Sequence, residues 1–232
     1  MKAFAIIVPD NDLSIAGFDE LTKSYDTYGH EEGIEAFHAV PLDKVFSYSS
    51  GNGLTWNYPW EGQKTDLKTG LIKSGYPTKV KEKRISCFMS HWYLWQKCKQ
   101  LDEMILIFEH DARLVKKLPS DRTFRNCNYD IIGINDPAMS TRRAKIYHDK
   151  IQENANFFQP TPTIDEFNIP QGLAGNSAYV MKPLGAKIML DLAQEHGMWP
   201  NDALMCRQLV PTLGVTRNYY SQIQGLRSTT TL

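Results

Sequence analysis

The chain has 232 residues, with 26 basic and 26 acidic side chains and hence no formal net charge. Its 42% hydrophobic and 22% charged content fits a globular unit with a substantial core. Neutrality weighs against a dedicated duplex-DNA binder, which carries a positive surplus. No apolar run approaches the roughly 20 residues that span a bilayer.

"AFAIIV" (Ala3 to Val8) reads as a buried strand of parallel type. Pro9 ends it, Asp10-Asn11-Asp12 suits a turn, and a helical pattern begins near Ile15. "IEAFHAV" (Ile34 to Val40) is a second strand. From Phe46 to Pro77 the chain is rich in Ser, Gly, Asn, Trp and Tyr and keeps no period. This is expected to be a long inserted loop, with Trp56, Tyr58 and Trp60 either packed back on the body or used functionally.

"KVKEKRISCFMSHWYLWQKCKQ" follows, with Ile85, Phe88, Met89, Trp92, Trp95 and Cys98 at three- and four-residue spacing. It predicts an amphipathic helix with a broad aromatic face and with Arg84, His91 and Trp95 near one edge. "EMILIF" is a core strand ending in Glu109-His110-Asp111. "YDIIGIN" (Tyr129 to Asn135) is another strand, and residues 136–167 are read as irregular. Ser177 to Met181 predicts a strand. Pro183 opens a helix closed by Gly197, and "WPNDALM" gives a turn and short helix. The tail, ending in small polar residues, is expected to be mobile.

The four cysteines are scattered. Cys87 and Cys98 share one helix and lie too far apart along its axis to bridge. All four are read as reduced thiols, and the start "MKAFAIIVPDND" lacks a long leader-like apolar region, so a cytoplasmic setting is expected.

The chemistry concentrates at the acidic triplet. In extended backbone, residues two apart share a side, so Glu109 and Asp111 converge while His110 faces elsewhere unless the strand turns. Converging carboxylates repel unless a cation or proton separates them. A hard ion such as Mg²⁺ or Mn²⁺ solves this with oxygen ligands and keeps positions for phosphate. The bland alternative is a salt bridge to Arg113 or Lys116. Open α/β sheets bind ligands beyond the carboxyl ends of their strands, which is where the triplet falls.

Taken together, "RISCFMSHWYLWQK…ILIFEHDARL" resembles the central signature of glycosyltransferase family 25, the lipopolysaccharide- and collagen-type sugar transferases. Cys87, Ser90, His91 and Trp95 match its helix, and Glu109, His110 and Asp111 stand where the family usually has Glu-Asp-Asp. Gly175, Tyr179, Ala186 and Leu190 resemble its later strand and helix, and Pro200 and Asp202 its proline–variable–aspartate element. Two departures stand out. Histidine replaces the middle acid, and "PDNDLS" replaces an arginine-bearing loop, as in a divergent member of phage or viral type.

The resemblance implies a single catalytic domain of α/β, GT-A-like fold with a central, mostly parallel sheet, an inserted aromatic loop (46–77) and an acceptor-side segment (136–167). It implies an inverting transfer from a nucleotide sugar, UDP-sugar most commonly, to a hydroxyl acceptor such as a saccharide, with Mn²⁺ or Mg²⁺ on Glu109, Asp111 and His110. His91 and Gly175 are the candidates for donor contact. Asp202 is the candidate base that takes the acceptor's proton, weighed equally against a role as helix cap. Two other readings compete. One is transfer to a hydroxylated base in DNA, suggested by the basic run Lys73, Lys79, Lys81, Lys83, Arg84 and by Arg142, Arg143 and Lys145. The other is a non-catalytic nucleotide-sugar or glycan binder.

Overall fold

The structure is a computed structural model that describes residues 1–226 except 77, 140–142, 172 and 174. Strand β1 (Ala3–Ile7), helix α1 (Asp12–Tyr28) and strand β2 (Ile34–His38) form the opening unit. The Asn11 side chain caps α1 by accepting from the Ser14 amide at 3.0 Å, satisfying one of the donors a helix start leaves open. Helix α2 (Val45–Gly51), strands β3 (Gln63–Thr65) and β4 (Ile72–Ser74), the long helix α3 (Lys81–Leu101) and strand β5 (Ile105–Glu109) follow. Next come β6 (Ala112–Leu114), α4 (Asp121–Arg125), β7 (Ile131–Gly133), α5 (Ala144–Glu153), β8 (Phe158–Pro160) and β9 (Asn168–Ile169). The chain ends through β10 (Ala178–Met181), α6 (Pro183–His196), α7 (Asn201–Leu204), β11 (Leu213–Thr216) and β12 (Ser221–Ile223).

Seven strands form the central sheet in the order β2-β1-β5-β10-β7-β11-β8. Pairs β1–β2, β1–β5 and β7–β11 are parallel, whereas β5–β10, β7–β10 and β8–β11 are antiparallel. The sheet is therefore mixed, and the expectation of a mostly parallel one holds for strand direction but not for pairing. The reversal comes from β10, which enters between β5 and β7 from the opposite end. Side-chain alternation splits the core in two. Phe4, Ile105, Ile107, Tyr179 and Met181 face α3, α6 and α7, while Ala5, Leu106, Phe108, Val180 and Ile132 face α1 and α4. Both faces of the sheet are thus covered, which is why its strands read as unbroken apolar runs.

Helix α3 is not the one-faced helix that its spacing suggests. Ile85, Ser86, Phe88 to Trp92, Leu94, Trp95 and Cys98 are all buried, because the helix is enclosed by the sheet, α6 and the region around α2. Two of its buried serines are paired with the Val40 backbone. The Ser86 hydroxyl donates to the Val40 carbonyl at 2.6 Å, and the Val40 amide donates to the Ser90 hydroxyl at 3.0 Å.

Residues 46–76 hold short regular elements and are not a plain loop. The hydroxyls of Ser47, Ser49 and Ser50 donate back to the carbonyls of Lys44, Phe46 and Ser47 along α2, and β3, β4 and β9 make a small sheet. Three-residue strands are too short to show a period. The later aromatics of this segment pack together, while Phe46 and Tyr48 stay exposed: Trp56 stacks on Trp60 at 4.6 Å, and Tyr58 lies against Tyr76 and Trp199. Lys73 is buried too, paired with Asp66 at 2.8 Å and set over the Trp199 ring, so it is not part of an exposed basic run. Arg142 lies outside the described residues. Residues 136–167, expected to be irregular, contain α5, whose Ala144, Tyr147 and Ile151 are buried at helical spacing.

The tail is used as well. Strand β12 pairs antiparallel with β6, and Gln224 clamps the turn after β5. Its amide N–H donates to the Asp111 carbonyl at 2.7 Å, and its side-chain nitrogen donates to the Gly17 and Ala112 carbonyls at 2.8 Å each. Residues 227–232 lie outside the described residues.

Gly17 of α1 lets the helix approach that turn. A Cβ there would sit 2.7 Å from the His110 carbonyl oxygen and 2.9 Å from Leu226. Glycine to alanine within a helix ordinarily stabilises by about 1 kcal/mol. Here the overlap with backbone opposes that gain, since overpacking costs about 1–3 kcal/mol. Gly17→Ala is expected to lower the denaturation midpoint. A thermal or urea titration checks this, and a stabilised variant would show that α1 does not rest on the turn.

Candidate functional site

Strand alternation carries the Glu109 side chain to the α3 side of the sheet, where it meets a fully buried histidine. Its carboxylate lies 3.2 Å from His91 Nε2, and His91 Nδ1 lies 2.7 Å from the Tyr179 hydroxyl. Trp95 Nε1–H donates to the same hydroxyl at 3.0 Å. The indole can only donate, so it takes one lone pair of the Tyr179 oxygen. The phenolic proton is then free to go to His91 Nδ1, which puts the imidazole proton on Nε2, directed at Glu109. His91, Tyr179 and Trp95 are each 0% exposed. His91 therefore does not stand on an exposed polar edge; it is buried, with both nitrogens engaged, and orients an acid.

Glu109 is half-buried. Burial works against its charge, but the His91 hydrogen bond and the neighbouring histidines and Arg84 outweigh that effect and hold its pKa below the usual carboxylate value. Asp111 goes the other way. Burial, and then the charge of Glu109, push its pKa up to about 7, against the opposing hydrogen bond from Ser177. One of its oxygens is buried without a partner. The structure thus brings Glu109 and Asp111 together as a mutually repelling pair. His110 is placed differently: its ring hydrogen bond goes to the Ile6 carbonyl of β1, and burial lowers its pKa.

Asp202, at the start of α7, joins the same corner. Its carboxylate accepts from the Tyr76 hydroxyl at 3.0 Å, and it is the acid in the first turn of α7, whose N-cap position is Pro200. Burial raises its pKa, Arg84 and the Tyr76 bond oppose the rise, and Glu109 adds to it.

Arg84 is the residue that sequence reasoning did not single out as functional. It sits over the Tyr76 ring at 4.7 Å, it acts electrostatically on Glu109, Asp202 and Cys87, and its Nε and one Nη are buried without partners. Its signal was the seven-residue interval to His91, two turns along one helix face.

Gly175 precedes β10 with φ +63. Two residues on, the Ser177 carbonyl accepts from the Glu109 amide at 2.8 Å, which places this approach beside the carboxylates. Asn176 and Asn201 each have a buried side-chain nitrogen without a partner.

Two donor sets could hold a metal. Cys87, His91 and Glu109 form a cluster with ligand atoms within 4.8 Å of one another. Glu109 and Asp111 offer oxygen alone, with one buried oxygen already lacking a partner, and this set suits a hard divalent ion.

The mixed α/β sheet thus gathers paired acids, an arginine and a further aspartate at one corner. Residues 56–205 match the model of glycosyltransferase family 25 (LPS biosynthesis protein), and the chain belongs to that family. Every residue of the site described above falls inside the match.

None of the curated proteins matches the chain in sequence. Three solved structures illustrate the remote likeness in shape. The galactosyltransferase LgtC in complex with donor and acceptor sugar analogues is 8% identical, with 93% of this chain and 73% of that chain covered and a TM-score of 0.41. A glycosyltransferase involved in glycosylation of the major capsid of PBCV-1 is 9% identical over 97% and 94%, with a TM-score of 0.44. The apo bifunctional glycosyltransferase WbbM is 12% identical over 94% of this chain and 38% of that one, with a TM-score of 0.43. Among the described residues no helix is long and apolar enough to cross a membrane.

Two measurements probe the site directly. Tyr179→Phe leaves the Trp95 donor and His91 Nδ1 unpaired in a dry core, which costs about 1–3 kcal/mol for each group left unsatisfied. A measurably lower melting temperature is expected, and no change would remove the hydroxyl from the network.

The second concerns pH. An acid whose pKa is raised on folding binds more protons in the native than in the unfolded state, so stability falls as pH climbs between the two values. For Asp111 that window runs from its ordinary value of 3.8 to about 7. Glu109, lowered, acts with the opposite sign and only up to its ordinary value of 4.5. Metal-free protein should therefore lose stability from about pH 5 to about pH 7. Asp111→Asn should flatten that fall in urea midpoints, and an equal slope in both proteins would contradict the Glu109–Asp111 repulsion.

Proposed function

We propose that this family 25 enzyme, on a GT-A-like scaffold, transfers a sugar with inversion from a nucleotide-diphosphate donor, UDP-sugar foremost, to a hydroxyl of a saccharide acceptor. The observation that carries this reading is the meeting of Glu109, Asp111, Arg84 and Asp202 at one end of the central sheet. Glu109 and Asp111 would hold Mn²⁺ or Mg²⁺, which supplies charge neutralisation for a departing diphosphate. The buried, unpartnered Asp111 oxygen and the repulsion between the two acids fit such an ion.

The chain's own residues supply the rest. Arg84 presents unpartnered guanidinium nitrogens suited to phosphate oxygens. His91 holds Glu109 in place through its Nε2–H. The left-handed backbone at Gly175 allows close approach of a ligand without a side chain in the way. Asp202, with its raised pKa and with Tyr76 fixing one oxygen, accepts the proton of the attacking hydroxyl. A base tuned upward takes that proton more readily near neutral pH. The four free cysteines suit a reducing, cytoplasmic setting.

The test is a screen of nucleotide sugars with and without Mn²⁺, read by released nucleotide and by product. Asp202→Asn should keep donor affinity and lose about 10²–10⁴-fold in kcat. Glu109→Gln and Asp111→Asn should each cost about 10²-fold or more in metal-dependent turnover, the scale of losing one transition-state charge contact. Full turnover in folded D202N would remove it as the base. An unchanged Mn²⁺ titration in both acid variants would remove them as the metal pair. Salt-sensitive binding to duplex DNA would move the acceptor to a hydroxylated base.

A further inference from the structure

The Cys87 thiol has no role in the transfer proposed above, yet it stands beside Glu109, which does. Cys87 and His91 lie one turn apart on α3, and Glu109 is at the end of the adjoining strand. Their sulfur, nitrogen and oxygen ligand atoms lie within 4.8 Å of one another. We propose that these three side chains form a site for a thiophilic divalent cation of the zinc type, overlapping the oxygen site through Glu109, so that zinc competes with the hard ion and stops turnover.

The donor chemistry separates the two ions. Mn²⁺ and Mg²⁺ prefer oxygen ligands, whereas a thiolate, an imidazole and a carboxylate together suit zinc. Zinc bonds of about 2.0–2.3 Å in tetrahedral geometry imply ligand–ligand distances of roughly 3.3–3.8 Å. His91 Nε2 and Glu109 Oε1 are already 3.2 Å apart. Only the Cys87 sulfur has to close, by a side-chain rotation that releases its 3.7 Å contact with Asn201. Three protein ligands leave the fourth tetrahedral position open.

A second observation, independent of the cluster, points the same way. Metal-bound histidines nearly always donate their other ring N–H to a fixed acceptor, which sets tautomer and orientation. His91 Nδ1 has such an acceptor in the Tyr179 oxygen at 2.7 Å, itself held by Trp95. Binding would therefore shift the His91 proton from Nε2 to Nδ1 with no net loss from the ring, and the Tyr179 hydroxyl would turn from donor to acceptor by rotating its own proton off Nδ1. It would break the Cys87 S–H bond and release that one proton to solvent. The thiolate and the Glu109 carboxylate together balance the two positive charges of the ion.

The binding stands on this geometry alone, while the inhibition rests on the proposed use of Glu109 in transfer. The test uses the full chain, with Co²⁺ as the spectroscopic stand-in for zinc. Wild-type protein should show a near-ultraviolet thiolate-to-cobalt charge-transfer band that Zn²⁺ abolishes. Cys87→Ser and Cys87→Ala, each confirmed folded by its melting transition, should lack it. In parallel, Zn²⁺ should inhibit Mn²⁺-supported release of nucleotide from UDP-sugar, with at least about tenfold weaker inhibition in the Cys87 variants, one ligand being worth 1.4 kcal/mol or more. No band in wild type, or a band that persists in both variants, overturns the site. Equal zinc inhibition in wild type and variants overturns the competition. Mn²⁺ stimulation in wild type is read in the same experiment. If it is missing while the cobalt band is present, the transfer reading fails and the zinc site remains.

Discussion

The contact between Glu109 and His91 is the one on which the site depends. A carboxylate at the end of a buried strand would be unfavourable without a partner, and a histidine in the middle of a buried helix would be equally so. Each resolves the other's difficulty, and the Tyr179 hydroxyl and Trp95 indole complete the line. The result ties α3, β5 and β10 together by polar bonds inside an otherwise apolar layer. Buried polar networks of this kind specify one arrangement because every alternative leaves a group unsatisfied. The acid is thereby presented in a fixed orientation before any ligand arrives, which is what preorganised charge stabilisation requires.

The second constraint is the direction of β10. Because it runs antiparallel between β5 and β7, its entry rather than its exit lies at the carboxyl ends of its neighbours. That places Gly175, Asn176 and Ser177 beside Glu109 and Asp111, with the Ser177 carbonyl bonded to the Glu109 amide. An all-parallel sheet would have put those residues at the far end. The clamp by Gln224 acts on the same corner from the other face of the sheet, fixing the backbone from which Asp111 projects. Segments from four separate parts of the chain are thus needed to hold two carboxylates.

Charge at this corner is deliberately out of balance in the free protein. Glu109 acts on both Asp111 and Asp202, and Arg84 is the basic group that acts on both Glu109 and Asp202. Under the proposed function a cation between the acids relieves this repulsion. The pKa values pushed apart by environment, Glu109 down and Asp111 and Asp202 up, are the pattern by which neighbouring carboxylates take different roles.

Local sequence determined more of this protein than its irregular stretches suggested. The apolar runs of β1, β5 and β10, the proline-to-glycine frame of α6, and the spacing of α3 are properties of short segments, so they could be read directly. Asp111 is different: β5 ends at Glu109, so a turn, and not strand alternation, places Asp111 near it. What tertiary structure decided depends on residues far apart in the chain. The two-residue and three-residue strands β9 and β12 exist only because β4 and β6 offer edges to pair with, and neither is long enough to show a period. The burial of α3 on nearly every side follows from what surrounds it, which is why His91, read near one edge of the helix, is wholly enclosed. Lys73, read as one of a solvated basic run, became a core cation once Asp66 and Trp199 closed around it. Arg84 and Asp202, 118 positions apart by their numbers, meet because α7 folds back against α3. Charge that acts through space has no signature along the chain.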